Sequence, residues 1–396
     1  MGQGTSQIGN WVQLIATSWL VFRLSESTLM VGLSAFTLQI PLLIITPFAG
    51  VLIDRLNVRK ILFATNALAM AQSIVMLVLL QLHLIEAWHV VIGNLVLGIG
   101  NSFDAPSRQA MISKLLPDRE DLINAIALNS TVMNAGRFIG PMLGGIITAT
   151  FGEVWSFATN CVMRFAVLSA LFATQIRQHK LDHSTAGMYQ QFIAGFRYAY
   201  GFFPSRSALF LLAVTSFCLQ SYNSLLPWFA SQQFHGDSKT LGWLYSSAGL
   251  GAVFGMLYLA SRSQVRGLFR VLGWTAGIGS VALIAFSFCD SLWLAMPVLF
   301  ISALCMMLNA ASTNTVLQSI VPDELRGRVS ALYVMAFLGM TPLGSLFSGW
   351  VAHYVDGQLA LAFCAFVGLC ASIIYSRYLP RIRQDVLPLY KDLKIT

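Results

Sequence analysis

Charge is what this sequence lacks. Only 10% of its 396 residues are Asp, Glu, Lys or Arg, against about 25% in an ordinary soluble domain. Acidic residues are the scarcer kind, 16 against 24 basic, which leaves a formal net charge of +8 and a pI near 9.3. With 56% hydrophobic residues and a mean hydropathy of +0.70, the chain holds more apolar sequence than a water-facing fold can bury. Lipid is therefore its solvent.

Other absences narrow the function. The six cysteines (Cys161, Cys218, Cys289, Cys305, Cys364 and Cys370) lie inside or at the ends of apolar runs. None has paired ligand spacing, which argues against a disulfide framework or a zinc site. His179-Lys180-Leu181-Asp182-His183 lacks the glutamate of a zinc-binding helix, and Gly249-Leu250-Gly251 lacks the strand and acidic partner of a dinucleotide site. No phosphate-binding loop occurs, which argues against an ATP-driven pump, and the apolar runs hold no paired carboxylates of the kind an enzyme would use. Neither metal nor cofactor is expected. No soluble segment interleaves basic and aromatic residues, so the basic pI does not point to nucleic acid. The first apolar run has no basic lead or small-residue cleavage site, so no cleavable signal is expected; its beginning almost at Met1 suggests a shortened start.

What is present is a series of apolar runs. Twelve lie near 4–23, 29–53, 61–84, 88–112, 122–149, 153–176, 207–232, 239–261, 267–288, 291–316, 329–354 and 358–379, each about the 20 residues that cross a ~30 Å hydrocarbon core as a helix. With the amino terminus inside, nineteen Lys and Arg fall in the inner loops and the tail, and two, Arg23 and Lys239, fall outside. That asymmetry is the positive-inside signal of a multi-pass protein of the bacterial inner membrane with both termini cytoplasmic. The basic pI is thus topology.

The longest polar interruption, 177–206, divides the runs six from six. Its second part, 189–203, mixes Phe192, Phe196, Tyr198 and Tyr200 with Gln190, Gln191 and Arg197, a pattern suited to a helix lying on the membrane surface. The halves also repeat. At an offset of 205, Leu116-Pro117-Asp118 falls on Val321-Pro322-Asp323, Asp104 on Asn309, Gly50 on Gly255 and Gly144 on Gly349. The expected organisation is a six-helix bundle at 1–176, a linker at 177–206, a second bundle at 207–379 and a cytoplasmic tail at 380–396, a duplicated architecture that recurs among transporters.

Three motifs add mechanism. After the second run comes Gly50-Val-Leu-Ile-Asp54-Arg55-Leu-Asn57-Val58-Arg59-Lys60. Gly50 lets helices approach, Asp54 can sit at a helix end, and Arg55 and Arg59 can meet carboxylates or lipid phosphates, together latching one conformation. The fifth run reads Gly136-Arg137-Phe-Ile-Gly140-Pro141-Met-Leu-Gly144-Gly145. Its glycines at 136, 140 and 144 share one face and permit close helix packing, and Pro141 introduces a bend. The fourth run ends Gly98-Ile-Gly100-Asn101-Ser-Phe-Asp104-Ala-Pro106-Ser-Arg108.

The first motif resembles the G-x-x-x-D-R-x-G-R-K signature of the major facilitator superfamily, with Asn57 where glycine is usual and Val58 where a basic residue is. The fifth-run string resembles the G-P-x-x-G-G motif of that superfamily's exporters. Together with the fourth run, it is similar to the branch containing the enterobactin exporter and macrolide-efflux relatives. The resemblance implies an all-α fold of twelve transmembrane helices in two pseudo-symmetric six-helix bundles, coupling to protons, and a siderophore or drug-like cargo. Drug/proton antiporters often carry an arginine where Asn94 stands, so their coupling scheme does not transfer directly.

Charge at bilayer depth is costly and usually faces a cavity or a partner. Asp104 is the one carboxylate placed inside a run rather than at its end, and Arg108 lies one helical turn from it. The pair reads either as a gate linked to protons or as a static clamp. Arg137 and Arg164 both fall about 16 Å deep at 1.5 Å per residue. They read as substrate-binding residues or as snorkelling side chains. In the superfamily, helices one, four, seven and ten line the cavity. Here they carry the candidate substrate-binding residues Asn10, Gln13, Asn94, Asn101, Gln220, Asn223 and Asn309. A monomeric, lipid-embedded exporter of a small organic solute is the reading. A lysophospholipid flippase on the same scaffold and a non-transporting membrane sensor are its rivals.

Overall fold

A computed structural model describes residues 2–55, 57–115, 119–173, 196–262, 265 and 267–392. Among them the only regular secondary structure is helical. The first six helices are α1 (Gly2–Ser25), α2 (Thr28–Arg55), α3 (Val58–Gln81), α4 (Ala87–Leu115), α5 (Arg119–Phe151) and α6 (Glu153–Ala173). After the linker come α7 (Phe203–Leu219) and α8 (Tyr222–Trp228), the latter running into a π-helical turn at Phe229–Gln233. Then follow α9 (Ser238–Ala260), α10 (Leu268–Ser287), α11 (Leu292–Ile320), and α12 (Asp323–Val334), which continues through a second π turn, Met335–Gly339, into α13 (Met340–Tyr354). The last helix is α14 (Gly357–Asp392). Each predicted span overlaps described helix, and among the described residues nine helical stretches are long and apolar enough to cross a membrane. Outside those nine fall α1, α4 and α5, the helices in which the polar and charged candidates concentrate.

The chain packs as two compact units. One holds α1 to α6 together with Ser224–Ser246 from the second half of the sequence. In it α2 lies against α4, α1 against α5 and α6, and α3 against α4 and α6. Two apolar clusters fill it, one around Ala16, Leu20, Phe22, Met76 and Phe157, the other around Ala49, Ile53, Val58, Leu62 and Leu171. The other unit places α10 against α11 and α14, and α7 against α13 and α14, around Leu268, Leu272, Leu317, Ile320, Val329 and Tyr375.

The predicted surface helix at 189–203 is described only from 196 onward, where 196–201 is helical and Tyr198 and Phe202 pack on that second core. Leu116-Pro117-Asp118 and the 179–183 segment lie outside the described residues. The segment expected as a tail begins as a continuation of the last helix. α14 runs 36 residues, about 54 Å, against a ~30 Å hydrocarbon core. Its extension is held by apolar burial: Ile382 and Val386 are 0% and 2% exposed within the second core, while Arg381, Arg383 and Asp385 face outward.

Candidate functional site

The polar residues of the first unit form a connected network at the level of Asp104. Asp104 is buried and ion-paired with Arg108, one turn along α4. Its other carboxylate oxygen accepts from Thr65 Oγ1 at 3.3 Å and from Asn66 Nδ2 at 3.0 Å, both on α3. Asn66 Oδ1 in turn accepts from Arg164 Nη1 of α6 at 2.7 Å, and Arg164 Nη2 donates to Asn10 Oδ1 of α1 at 2.5 Å. Four helices are tied through one carboxylate and two guanidiniums, a net positive charge inside the unit. Arg108 Nη1 and Arg164 Nε are buried without a hydrogen-bond partner among the described residues.

Arg164 does not snorkel. It is 4% exposed and its guanidinium ends on amide oxygens of α1 and α3. Asn66 carries this arrangement, because its amide bonds a carboxylate with one end and a guanidinium with the other. Sequence reasoning missed Asn66. The signal lay in the period of α3, whose buried face runs Val58, Leu62, Thr65, Asn66, Ala69, Gln72, Ser73 and Met76, so polar residues occupy core positions of an otherwise apolar stripe. One turn along, Gln13 Nε2 donates to Gln72 Oε1 at 2.7 Å while Ser73 Oγ donates to Gln13 Oε1 at 3.1 Å.

The remaining candidates are placed as follows. Asn94 donates to Ser34 Oγ at 2.8 Å, joining α4 to α2. Asn101 is half-buried, as is Arg137, which makes interactions of its own. In the other unit Asn223 donates to the Gln220 carbonyl at 3.0 Å, a local bond across the α7–α8 break. Asn309 is 1% exposed and donates to the Leu272 carbonyl at 2.8 Å and Thr275 Oγ1 at 3.1 Å. It faces α10, and no open surface.

In the loop after α2, the side chains of Asp54 and Arg55 lie outside the described set. Arg59, expected to meet a carboxylate or lipid phosphate, instead donates to the carbonyls of Leu171 at 2.8 Å and Phe172 at 2.5 Å. Those carbonyls lie in the last described turn of α6, where a cation complements the helix dipole. Asn57, standing where glycine is usual, caps α3 by accepting from the Arg59 and Lys60 amides at 3.0 and 3.4 Å. An asparagine at this position is thus a helix start.

The glycine string of α5 works in two directions. Gly136, Gly140 and Gly144 face Gln7, Trp11 and Val12 of α1. A Cβ at Gly144 would sit 2.9 Å from Val12 Cα, closer than side chains tolerate. Gly145 turns the other way, toward α9, where a Cβ would lie 2.7 Å from the Ser238 carbonyl oxygen and 2.8 Å from Gly242 Cα. Pro141 shares this seam, its carbonyl 2.7 Å from where a Cβ on Gly242 would be. Gly242 is a partner that no repeat or motif had signalled. Among the described residues no cluster of His, Cys, Asp and Glu is fit to hold a metal ion.

Comparison with known proteins completes the picture. A family model described as transmembrane secretion effector matches residues 2–391. The chain is 23% identical to a staphyloferrin A transporter of Staphylococcus aureus, over 93% of this chain and 92% of that one. It is 24% identical to the multidrug efflux pump Tap of Mycolicibacterium fortuitum, over 96% and 94%. In fold it is similar to a bacterial homolog of the human lysosomal transporter Spinster, solved inward-facing and unoccupied, with a TM-score of 0.65 at 16% identity over 97% of this chain and 94% of that one.

Proposed function

The chain belongs to the transmembrane secretion effector family of major facilitator transporters, and from that membership we propose that it exports a small organic anion by proton-driven alternating access. It is a multi-pass membrane transporter and not an enzyme; cargo, coupling ion and direction are the parts proposed. One observation carries the cargo class. The buried network holds two guanidiniums, Arg108 and Arg164, against the single carboxylate of Asp104. A site with a fixed cation excess repels cationic drugs and favours carboxylate or catecholate groups, which can accept paired hydrogen bonds from an arginine.

The relatives divide between a siderophore transporter and a multidrug pump, and the sign of the buried charge favours the first. Asp104 is the proposed proton acceptor, because it is the one carboxylate of the network and arginine keeps its charge. Neutralising it removes the ion pair with Arg108 and weakens the donations from α3, which loosens α4 against α3 in one protonation state only. Arg137, a further cation on α5 at similar depth, is the proposed cargo contact; Arg164 is committed to Asn10 and Asn66 and positions α1 and α6. The termini lie in the cytoplasm under the positive-inside rule.

The test compares export of an acidic siderophore and a cationic dye by cells carrying wild-type protein, Arg137→Gln or Arg164→Gln. The siderophore should be exported by the wild type and lost in Arg137→Gln at normal membrane expression. Arg164→Gln should lower expression as well. Efficient dye export that ignores Arg137→Gln would refute the anionic cargo.

A further inference from the structure

At the edge of the second unit that the positive-inside rule assigns to the cytoplasm, two arginines from distant parts of the chain converge on one aromatic ring. The Arg206 guanidinium carbon lies 5.4 Å from the Phe203 ring centroid, and that of Arg381 lies 4.5 Å from it. Arg206 also stands 5.0 Å from the Tyr200 ring. Tyr378 meets Phe203 edge-on at 5.8 Å, joining the start of α7 to the far end of the predicted span in α14. Both arginines are exposed, and among the described residues neither makes an ion pair.

Two like charges on one ring repel, yet cation–π attraction holds each only by roughly 0.5–1 kcal/mol at an exposed site. Two guanidiniums converging on one ring present paired donors to an anion. Their surroundings identify which anion. Phe203 and Tyr378 fall at the cytoplasmic ends of the predicted spans 207–232 and 358–379, the level of the inner-leaflet headgroups. Tyr200, 62% exposed, and Phe196, 55% exposed, stack at 6.2 Å and present aromatic surface beside the arginines. Exposed aromatic rings with basic residues are the side chains of a membrane interface. Aqueous phosphate would have no use for the apolar rings, whereas a phospholipid places its phosphate between the arginines and its glycerol and upper acyl carbons on the rings.

We propose that Arg206 and Arg381, stacked on Phe203, clamp the phosphate of an acidic phospholipid of the inner leaflet, joining α7 to the cytoplasmic extension of α14. The site is independent of cargo and coupling. The full-length protein is reconstituted in nanodiscs of equal parts phosphatidylglycerol and phosphatidylcholine, and the lipids retained on release are identified by native mass spectrometry. Phosphatidylglycerol should be retained in preference. Arg206→Gln and Arg381→Gln should each lower that preference about fivefold, as expected of one arginine near an anionic surface, and R206Q/R381Q should abolish it. Arg383→Gln, on the same extension but off the ring, should leave it intact.

Because both arginines are exposed, the single variants should fold, and R206K/R381K keeps the charge while weakening the stacking, so it should retain part of the preference. Unchanged retention in R206Q/R381Q would overturn the proposal. So would an equal loss in Arg383→Gln, which would mean diffuse surface charge, or displacement of phosphatidylglycerol by inorganic phosphate, which would mean an aqueous anion site.

Discussion

The two halves of this chain place different chemistry on equivalent positions. At the offset of 205, Asp104 corresponds to Asn309, Arg108 to Thr313, Asn66 to Val271, Arg164 to Leu369 and Asn10 to Thr215. In the first half these residues form a charged relay across four helices. In the second, Asn309 Nδ2 donates to neutral acceptors of α10 and Thr313 Oγ1 donates to the Asn309 backbone carbonyl at 2.9 Å. Both arrangements tie a long helix to its neighbour, so joining α4 to α3 does not require ions. Buried ions are costly where neutral or apolar groups would pack as well. Among the described residues such ions stand in the first half and not at the matching positions of the second, which is the basis for proposing that the first half's packing responds to charge.

The strongest way to break this comparison is Asp104→Asn, which makes the first half resemble the second at its centre. The substitution keeps the shape but leaves Arg108 buried beside no counter-charge, a loss of about 3 kcal/mol for a pair at this depth. Flux driven by a pH gradient should fall to background in proteoliposomes, while cargo binding, read by tryptophan quenching, survives. Gradient-driven flux that persists would reduce Asp104 to a structural member, and the two halves would then differ in composition without differing in role.

Much of this contrast was legible in the sequence, and the part that was not has a physical reason. Apolar runs, charge asymmetry and the repeat located the helices, because bilayer thickness and the cost of charge in lipid constrain sequence tightly. Asp104 and Arg108 were visible because an intramembrane charge is conspicuous among apolar neighbours. Asn66 was not, since a single asparagine in an apolar run looks like helix–helix glue, and only the face of α3 reveals that it bridges opposite charges. Gly242 was hidden for another reason: close approach is a property of two helices, and the sequence shows one glycine at a time. That the tail continues α14 as helix was hidden because its polar face is dense in charge, while Ile382 and Val386 carry the buried side.

Asn66→Ala tests whether the relay acts as one unit. It removes a hydrogen bond to a carboxylate and another to a guanidinium, for a cost of about 2 kcal/mol. If the relay couples α4 to α6, flux should drop about tenfold, a factor that matches roughly 1.4 kcal/mol of lost coupling. Asn66→Gln, which keeps both polar ends, should recover part of it. Stability lost without any change in flux would make Asn66 a packing residue, and the relay would shrink to the Asp104–Arg108 pair.

The smallest expected effect is in the second half, and it sharpens the comparison most. Asn309 is the repeat counterpart of Asp104, equally buried, and it too holds a neighbouring helix through its side chain. Its bonds are neutral, and its side-chain oxygen Oδ1 has no partner among the described residues, so Asn309→Ala removes two donations and relieves one unsatisfied acceptor. The net cost should be about 1 kcal/mol, read as a shift in thermal unfolding. The pH dependence of flux should stay as in the wild type, because no titrating group is touched. Flux itself should stay within about twofold, as for a substitution that affects stability alone. A collapse of gradient-driven transport in Asn309→Ala as deep as that in Asp104→Asn would show the neutral bond to be as mechanistic as the charged one. The argument that charge marks the responsive half would then fail, and both halves would have to switch together.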